Sequence, residues 1–191
     1  MNNKQNDNFS ELEEAVKTKK NSFTRELISW ILLIVGAIAV AMIVNKTVLA
    51  NTQVPTTSMA NTIKAGDRLF GNRLAYLFSE PERGDIIIFK YPDNEEENYI
   101  KRIIGLPGET VEIVKGVVYV NGEELVEDYL KEEPLELNFG PYEVPEDSYF
   151  VMGDNRNWSH DARFWDNTYV HRDKIVAKAW FKYYPDFESI E

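Results

Sequence analysis

The sequence predicts a mainly β protein: a single N-terminal transmembrane helix followed by an antiparallel β domain with a β-hairpin-containing insertion. Three observations carry this. Residues 27–44 form an uncharged apolar run of 18 positions. After residue 50 the pattern changes to short β-branched and aromatic runs punctuated by Gly, Pro and Asp, the signature of antiparallel strands. Between VVYV and EEL, Asn121-Gly122 is a two-residue hairpin turn, because both positions tolerate positive φ.

The N-terminal leader, residues 1–26, is rich in Asn, Lys and Glu through residue 24. It has too few apolar residues to build a core, so disorder or a frayed helix is expected. The run LISWILLIVGAIAVAMIV (27–44) reaches about 27 Å at ~1.5 Å per residue, close to a bilayer's hydrocarbon core. Lys17, Lys19, Lys20 and Arg25 precede it, and Lys46 is the nearby basic residue after it. The positive-inside rule therefore puts the N-terminus in the cytoplasm and residues 45–191 outside, in a single-pass protein of the cell membrane. A cleaved secretory leader, with Val48-Leu49-Ala50 as its cleavage site, is the rival reading. The run is longer than an ordinary leader core and sits behind 26 residues, so an uncleaved anchor is expected.

Strand signals then recur in RLFGNRLAYLF, GDIIIFKY, NYIKRIIG, ETVEIVKG, VVYVNGEEL, DSYFVMGDN and KIVAKAWFKYY. Gly116 is expected to turn the pair before Asn121-Gly122. The strand core is assigned to about 50–105 and 146–184, and the insertion to about 106–145. Within the insertion, residues 123–145 read as an acidic, proline-containing loop region. Glu95-Glu96-Glu97 reads as a solvated loop tip rather than a metal site. The apolar groups of RLAYLF (73–78) are assigned mainly to the core, with lipid contact as the other use.

Composition excludes several chemistries. The net charge of −11 argues against nucleic-acid binding, which needs a basic face. With no cysteine there is no disulfide, thiolate metal site or cysteine nucleophile. The two histidines, His160 and His171, lack the spacing of a zinc protease. No metal or cofactor is expected.

A nucleophilic serine needs a base. Ser159, His160 and Asp161 are adjacent, but triad members must converge in space, and three neighbours on a turn rarely do. Lysine is the other base. Free lysine, with a pKa of about 10.4, leaves only about one amine in 2,500 neutral at pH 7, so burial must lower it by several units. Lys101, among Tyr99, Ile100, Ile103 and Ile104, has two readings: a buried base, or a lysine reaching to water from an edge strand. Alternation puts Lys101 and Ile103 on one face and Ile100, Arg102 and Ile104 on the other.

VPTTSM (54–59), YIKRIIGLPGE (99–109) and MGDNRNWSHDAR (152–163), with RGDIIIF (83–89), closely resemble the bacterial type I signal peptidases. These are membrane-anchored serine proteases with a Ser/Lys dyad that remove signal peptides from exported proteins. The resemblance covers residues 27–182. It implies Ser58 as nucleophile and Lys101 as general base. It also implies an oxyanion hole from the Thr56 hydroxyl and the Ser58 N–H, and Ser159 orienting the lysine. Asp154, Asn155, Arg156, Asp161 and Arg163 match the supporting polar network. Val54, Pro55, Met59, Ile63, Tyr99 and Ile100 match the apolar wall for small substrate side chains at −3 and −1.

The sequence departs from the family pattern at several positions. Thr56 replaces a frequent serine, and Asn61 a usual proline. Asn157 and Trp158 stand where Asp-Asn is common, and Ala162 where serine often sits. Asn157 removes a charge that would pair with Arg163.

Ser58 lies 14 residues beyond Val44, a link of at most about 46–50 Å, which keeps the serine near the outer membrane surface. The resemblance implies signal peptides of exported preproteins as substrates, contact with membrane lipid and proximity to the translocation machinery. Two alternatives come from other classes. One is a catalytically silent relative that binds export or pilus-assembly partners; the other is a self-cleaving regulator of the repressor type. Val48-Leu49-Ala50 leaves self-cleavage after Ala50 open.

Overall fold

The computed structural model describes residues 3–190, with residues 3–24 as backbone alone. The chain divides into two compact units, Met1–Val44 and Asn45–Glu191.

Helix α1 spans Asn3–Thr47. Its segment Arg25–Thr47 contains an 18-residue window of mean hydropathy 2.9 and is long and apolar enough to cross a bilayer. Of the two states expected for the leader, the backbone from Asn3 onward adopts the helical one. Once the apolar segment has nucleated a helix, each added residue costs no further nucleation. The leader's Lys, Glu and Gln are good helix formers. Residues 1 and 2 lie outside the described residues.

The second unit is built from antiparallel strands, as the sequence predicts. They are β1 (Leu49–Gln53), β2 (Arg68–Asn72), β3 (Ile86–Tyr91), β4 (Asn94–Gly105), β5 (Thr110–Val114) and β6 (Val117–Val120), followed by β7 (Glu123–Glu124), β8 (Phe139–Glu143), β9 (Ser148–Met152), β10 (Val170–His171), β11 (Ile175–Tyr184) and β12 (Glu188–Ser189). The main sheet runs β1-β2-β11-β3-β4-β9-β10, with β12 paired to β11. A smaller sheet runs β7-β6-β5-β8. Both predicted turns form, each of two residues. Lys115-Gly116 and Asn121-Gly122 have positive φ, and Asn121 Oδ1 accepts from Thr110 N–H at 2.9 Å.

Three local expectations are corrected. The strand read from RLFGNRLAYLF stops at Asn72, whose Oδ1 accepts the Leu74 N–H at 2.9 Å and turns the chain. Leu77 and Phe78 beyond it are 61% and 100% exposed, so they are not core residues. Glu95-Glu96-Glu97 are exposed but begin β4 rather than forming a loop tip. Within the acidic stretch, residues 139–143 form β8, which gives β5 its second neighbour.

Burial follows from sheet order. β4 lies between β3 and β9, with Lys101 opposite Ile87 and Arg102 opposite Met152. One apolar cluster joins Ile87, Phe89 and Ile103 to Val111, Ile113 and Val118 of the small sheet. Another joins Val54, Met59 and Ile63 to Leu69, Ile86, Ile88 and Ala177. Each fully buried Ile or Phe contributes roughly 1.5–3 kcal/mol relative to exposure. Five consecutive residues of β4, Lys101–Gly105, are therefore enclosed, and two of them are basic.

The hairpin at Asn121-Gly122 gives a direct test. Gly122 has φ of 84°, a region that costs an L side chain roughly 1–2 kcal/mol. Gly122→Ala is expected to lower the unfolding free energy of the full chain by about 1 kcal/mol. An unchanged urea midpoint at unchanged slope would contradict the turn assignment.

Candidate active site

Ser58 sits in a turn between β1 and β2, where residues 54–63 fold back on themselves. Ile63 N–H donates to Met59 C=O at 2.8 Å, and Gly66 N–H donates to Val54 C=O at 2.8 Å. Met59 and Ile63 are fully buried and anchor the turn to the sheet. A second segment clamps it. Asn155 N–H donates to Ser58 C=O and Asn155 Nδ2 to Thr57 C=O, both at 3.0 Å. The Thr62 hydroxyl donates to Asp154 Oδ2 at 2.6 Å.

Lys101 reaches this turn from the middle of β4. Its Nζ donates to Ser58 Oγ at 2.9 Å and to Ile100 C=O at 3.1 Å. Lys101 is 3% exposed and Ser58 7%. The central position of β4 removes the edge-strand reading of this lysine. Burial pushes its pKa down to about 8, against the weaker opposing pull of Asp161 and Asp154. At that value roughly one amine in ten is neutral at pH 7, against about one in 2,500 for free lysine.

Both carboxylates that exert this pull are themselves paired with arginines. Asp154 receives Arg102 Nε at 2.9 Å and Nη2 at 2.8 Å. Asp161 receives Arg163 Nε at 2.8 Å and Nη2 at 2.9 Å, and also the Gly153 N–H at 3.0 Å. Arg156 is buried against Glu127 of the insertion and donates to Gly153 C=O at 3.1 Å. Asn157 takes no part in holding Arg163. It receives Leu135 N–H at 2.9 Å instead, and so ties the insertion to the 156–158 turn.

The adjacent Ser-His-Asp residues do not converge. Ser159 is buried, and its Oγ has no hydrogen-bond partner among the described residues, so no bond to Lys101 forms. His160 is exposed and stacks near Phe164, while Asp161 is bound to Arg163. Thr56 Oγ1 lies 3.3 Å from Ser58 Oγ. Val54, Pro55, Met59, Tyr99 and Ile100 line a groove of about 420 Å³ that includes Ser58 and Lys101; Ile63 lies behind this lining. Among the described residues, no group of three or more His, Asp or Glu side chains is placed to hold a metal ion.

Sequence reasoning missed four contributors. Arg102 and Thr62 fix Asp154, and Glu127 fixes Arg156. The fourth is Gly153, where an added Cβ would lie 2.3 Å from Ser159 Oγ and 2.4 Å from Ser58 O. Its place inside the MGDN motif was the available signal.

The family described as "Signal peptidase, peptidase S26" matches residues 27–184. "Probable signal peptidase I-2" of Synechocystis is 41% identical over 137 residues, covering 69% of this chain and 62% of that protein. "Signal peptidase I" of Bacillus licheniformis is 36% identical over 184 residues, covering 91% of this chain and 95% of that protein. A solved structure of a signal peptidase I from Enterococcus faecalis is 36% identical, covering 52% of this chain and 97% of that one, with a TM-score of 0.46.

Two outcomes test the geometry. The depressed Lys101 pKa means the folded chain binds fewer protons than the unfolded chain between about pH 8 and 10.5. Stability thus rises with pH across that window, and at pH 7 the buried ammonium costs about 3 kcal/mol. Lys101→Met is expected to be more stable than wild type at pH 7, by up to that amount, with the gap closing toward pH 10. A gap independent of pH would sink this account of the lysine. Separately, Gly153→Ala is expected to fold but to lose about 100-fold in kcat/KM of serine-dependent hydrolysis, the scale of a 1 Å misplacement.

Proposed function

The chain belongs to the signal peptidase family, peptidase S26, and from that premise we propose that it is a membrane-anchored Ser/Lys signal peptidase of type I. The observation that carries this reading is the 2.9 Å contact between Lys101 Nζ and Ser58 Oγ inside a buried site. A base must be within hydrogen-bond reach of the proton it removes and must have a pKa near working pH. Both conditions support Lys101.

In the proposed reaction, neutral Lys101 takes the Ser58 proton as Oγ attacks the carbonyl carbon of the −1 residue. The Thr56 hydroxyl and the Ser58 N–H stabilise the oxyanion, a contribution typically worth 10²–10³ in kcat per donor. Thr56 Oγ1 is near enough to Ser58 Oγ for a modest rotation to serve that role. The Lys101 ammonium then protonates the leaving amine, and the mature protein departs. An ester joins Ser58 to the signal peptide. Lys101 next deprotonates a water, which attacks the ester and regenerates the serine.

The groove supports the substrate class. Its wall of Val54, Pro55, Met59, Tyr99 and Ile100 is apolar, and side chains as small as alanine at −1 and −3 suit it. Asp154, Asn155, Arg156, Asp161 and Arg163 hold the two halves of the site together rather than touching substrate. The α1 segment 25–47 would hold the site at the membrane from which a preprotein emerges, with the N-terminus in the cytoplasm and the catalytic unit outside. The substrate's own apolar segment would stay in the same bilayer, making the encounter nearly two-dimensional. Proximity to the translocation machinery follows from that placement.

The test is cleavage of a precursor carrying an Ala-x-Ala site, by the full chain in detergent. Wild type is expected to cut after the −1 alanine, while Ser58→Ala and Lys101→Ala lose at least about 1,000-fold. Because the neutral amine is the active form, kcat/KM is expected to rise with pH and to be half-maximal near pH 8. Silence of the folded wild type, or full activity in Lys101→Ala, overturns the proposal.

A further inference from the structure

Trp158 and His160 line the catalytic groove and also a second groove of about 360 Å³, so the two meet at a shared ridge. The second groove is walled by Leu135, Leu137 and Phe139 of the insertion and by Phe164. Its apolar side chains are open to solvent: Trp158 is 72% exposed, Leu135 60%, and Leu137 and Phe164 49% each. Such a concentration of exposed apolar surface around one concavity is a sign of a binding surface.

The wall is held in place rather than merely adjacent. Asn157 Oδ1 accepts the Leu135 N–H at 2.9 Å, and Asn157 Nδ2 donates to Glu133 C=O at 3.1 Å and to Glu132 Oε1 at 3.2 Å. Phe139 and Phe164 meet edge to face at 5.3 Å, and Arg163 lies over both rings. A Cβ at Gly116 would come within 2.7 Å of Leu135 C=O, so only glycine allows that loop to close here. The arginines in the wall, Arg156 and Arg163, are neutralised by Glu127 and Asp161. Glu132, Glu133 and Glu136 stand exposed beside the groove, as do Lys115 and Lys131, so carboxylates outnumber amines on its rim.

We propose that this groove is the seat of the first residues of the mature protein, those just after the scissile bond, and that it selects an apolar or aromatic side chain with basic neighbours. The inference rests on the signal-peptidase reading above. If the −1 and −3 side chains lie against Val54, Met59 and Ile100 on one side of Ser58, the chain after the bond leaves on the other. Trp158 and His160 line the same groove as Ser58 and also the second one, so a chain that leaves over them enters the second groove. Continuity with the catalytic groove therefore names the occupant, and the acidic rim sets its preferred charge. The first four residues after the bond span about 13–14 Å when extended, which bounds the positions to vary.

The experiment uses the full chain in detergent and three precursors identical through the −1 alanine. At +1 to +4 they carry Phe and Lys, only Ser, or Asp and Glu. Wild type is expected to favour the first over the second by about 10-fold in kcat/KM, mainly through KM, and to disfavour the third by a similar factor. Within each variant the ratio between precursors is the readout. Phe164→Ala and the more exposed Leu135→Asn are expected to bring the Phe preference toward one, and Glu132→Gln with Glu133→Gln to reduce the charge preference. Equal rates for all three precursors, or ratios unmoved by these substitutions, overturn the proposal. If folded wild type cuts none of them, the peptidase reading fails on its own. The groove is then judged by fluorescence anisotropy, with a labelled Phe-Lys-Phe-Lys peptide binding to Ser58→Ala. Binding that Phe164→Ala weakens supports the groove as a peptide seat, and binding it leaves unchanged overturns it.

Discussion

The site depends on one constraint: a lysine amine is kept in a buried strand with a neutral hydroxyl as its side-chain partner. An ammonium there would ordinarily be stabilised by a nearby carboxylate, and a lysine so paired would be useless as a base. Two carboxylates are close enough to act on it, Asp154 and Asp161. Each is held instead by two hydrogen bonds from a guanidinium, Arg102 and Arg163 respectively. Arginine suits this because it stays charged and its planar fork matches a carboxylate's two oxygens. The pairs let acidic groups organise the site without claiming the lysine's proton.

The same pairs fasten together segments distant in sequence. Asp154 joins Arg102 of β4 to Thr62 beyond Ser58. Arg156 is held by Glu127, and Tyr129 of the same insertion lies under the Arg102 guanidinium at 4.0 Å. The small sheet and its insertion therefore support the Ser58–Lys101 site. Removing one partner of a buried pair strands a charge and typically costs about 3–5 kcal/mol, whereas the intact pair adds little net stability. Such pairs fit a role in holding geometry, with the apolar clusters on either side of the main sheet supplying the folding energy.

Much of the architecture was legible because it depends on local chemistry. The β-branched runs became strands, and Asn121-Gly122 became a turn, since each answers to its own backbone preferences. Lys101 was ambiguous for a physical reason. Alternation along one strand says which residues share a face, but not whether the strand is central or at an edge. That is decided by β9, some forty residues later in the chain. Glu127 was invisible for the same reason: an acidic residue in an acidic stretch gives no sign that one member is buried against an arginine. Gly153 required knowledge of what approaches it. RLAYLF was misread because hydrophobicity does not distinguish the core from an apolar surface, and Asn72 ends the strand through a side-chain bond that competes with the ladder.

The contrast with histidine-based hydrolysis explains the use made of Ser159, His160 and Asp161. An imidazole base needs a third group to fix its tautomer and to stabilise the imidazolium that forms. A lysine amine has no tautomers and rotates freely, so it needs enclosure more than it needs orientation. Here the adjacent trio is divided among other tasks. Asp161 holds Arg163 and the Gly153 N–H, His160 stands at the ridge between two grooves, and Ser159 closes over Gly153. The Ser-His-Asp run thus contributes packing and support around Ser58 and Lys101. In the proposed reaction the chemistry falls to two residues 43 positions apart, which a central strand and a clamped turn bring within 2.9 Å.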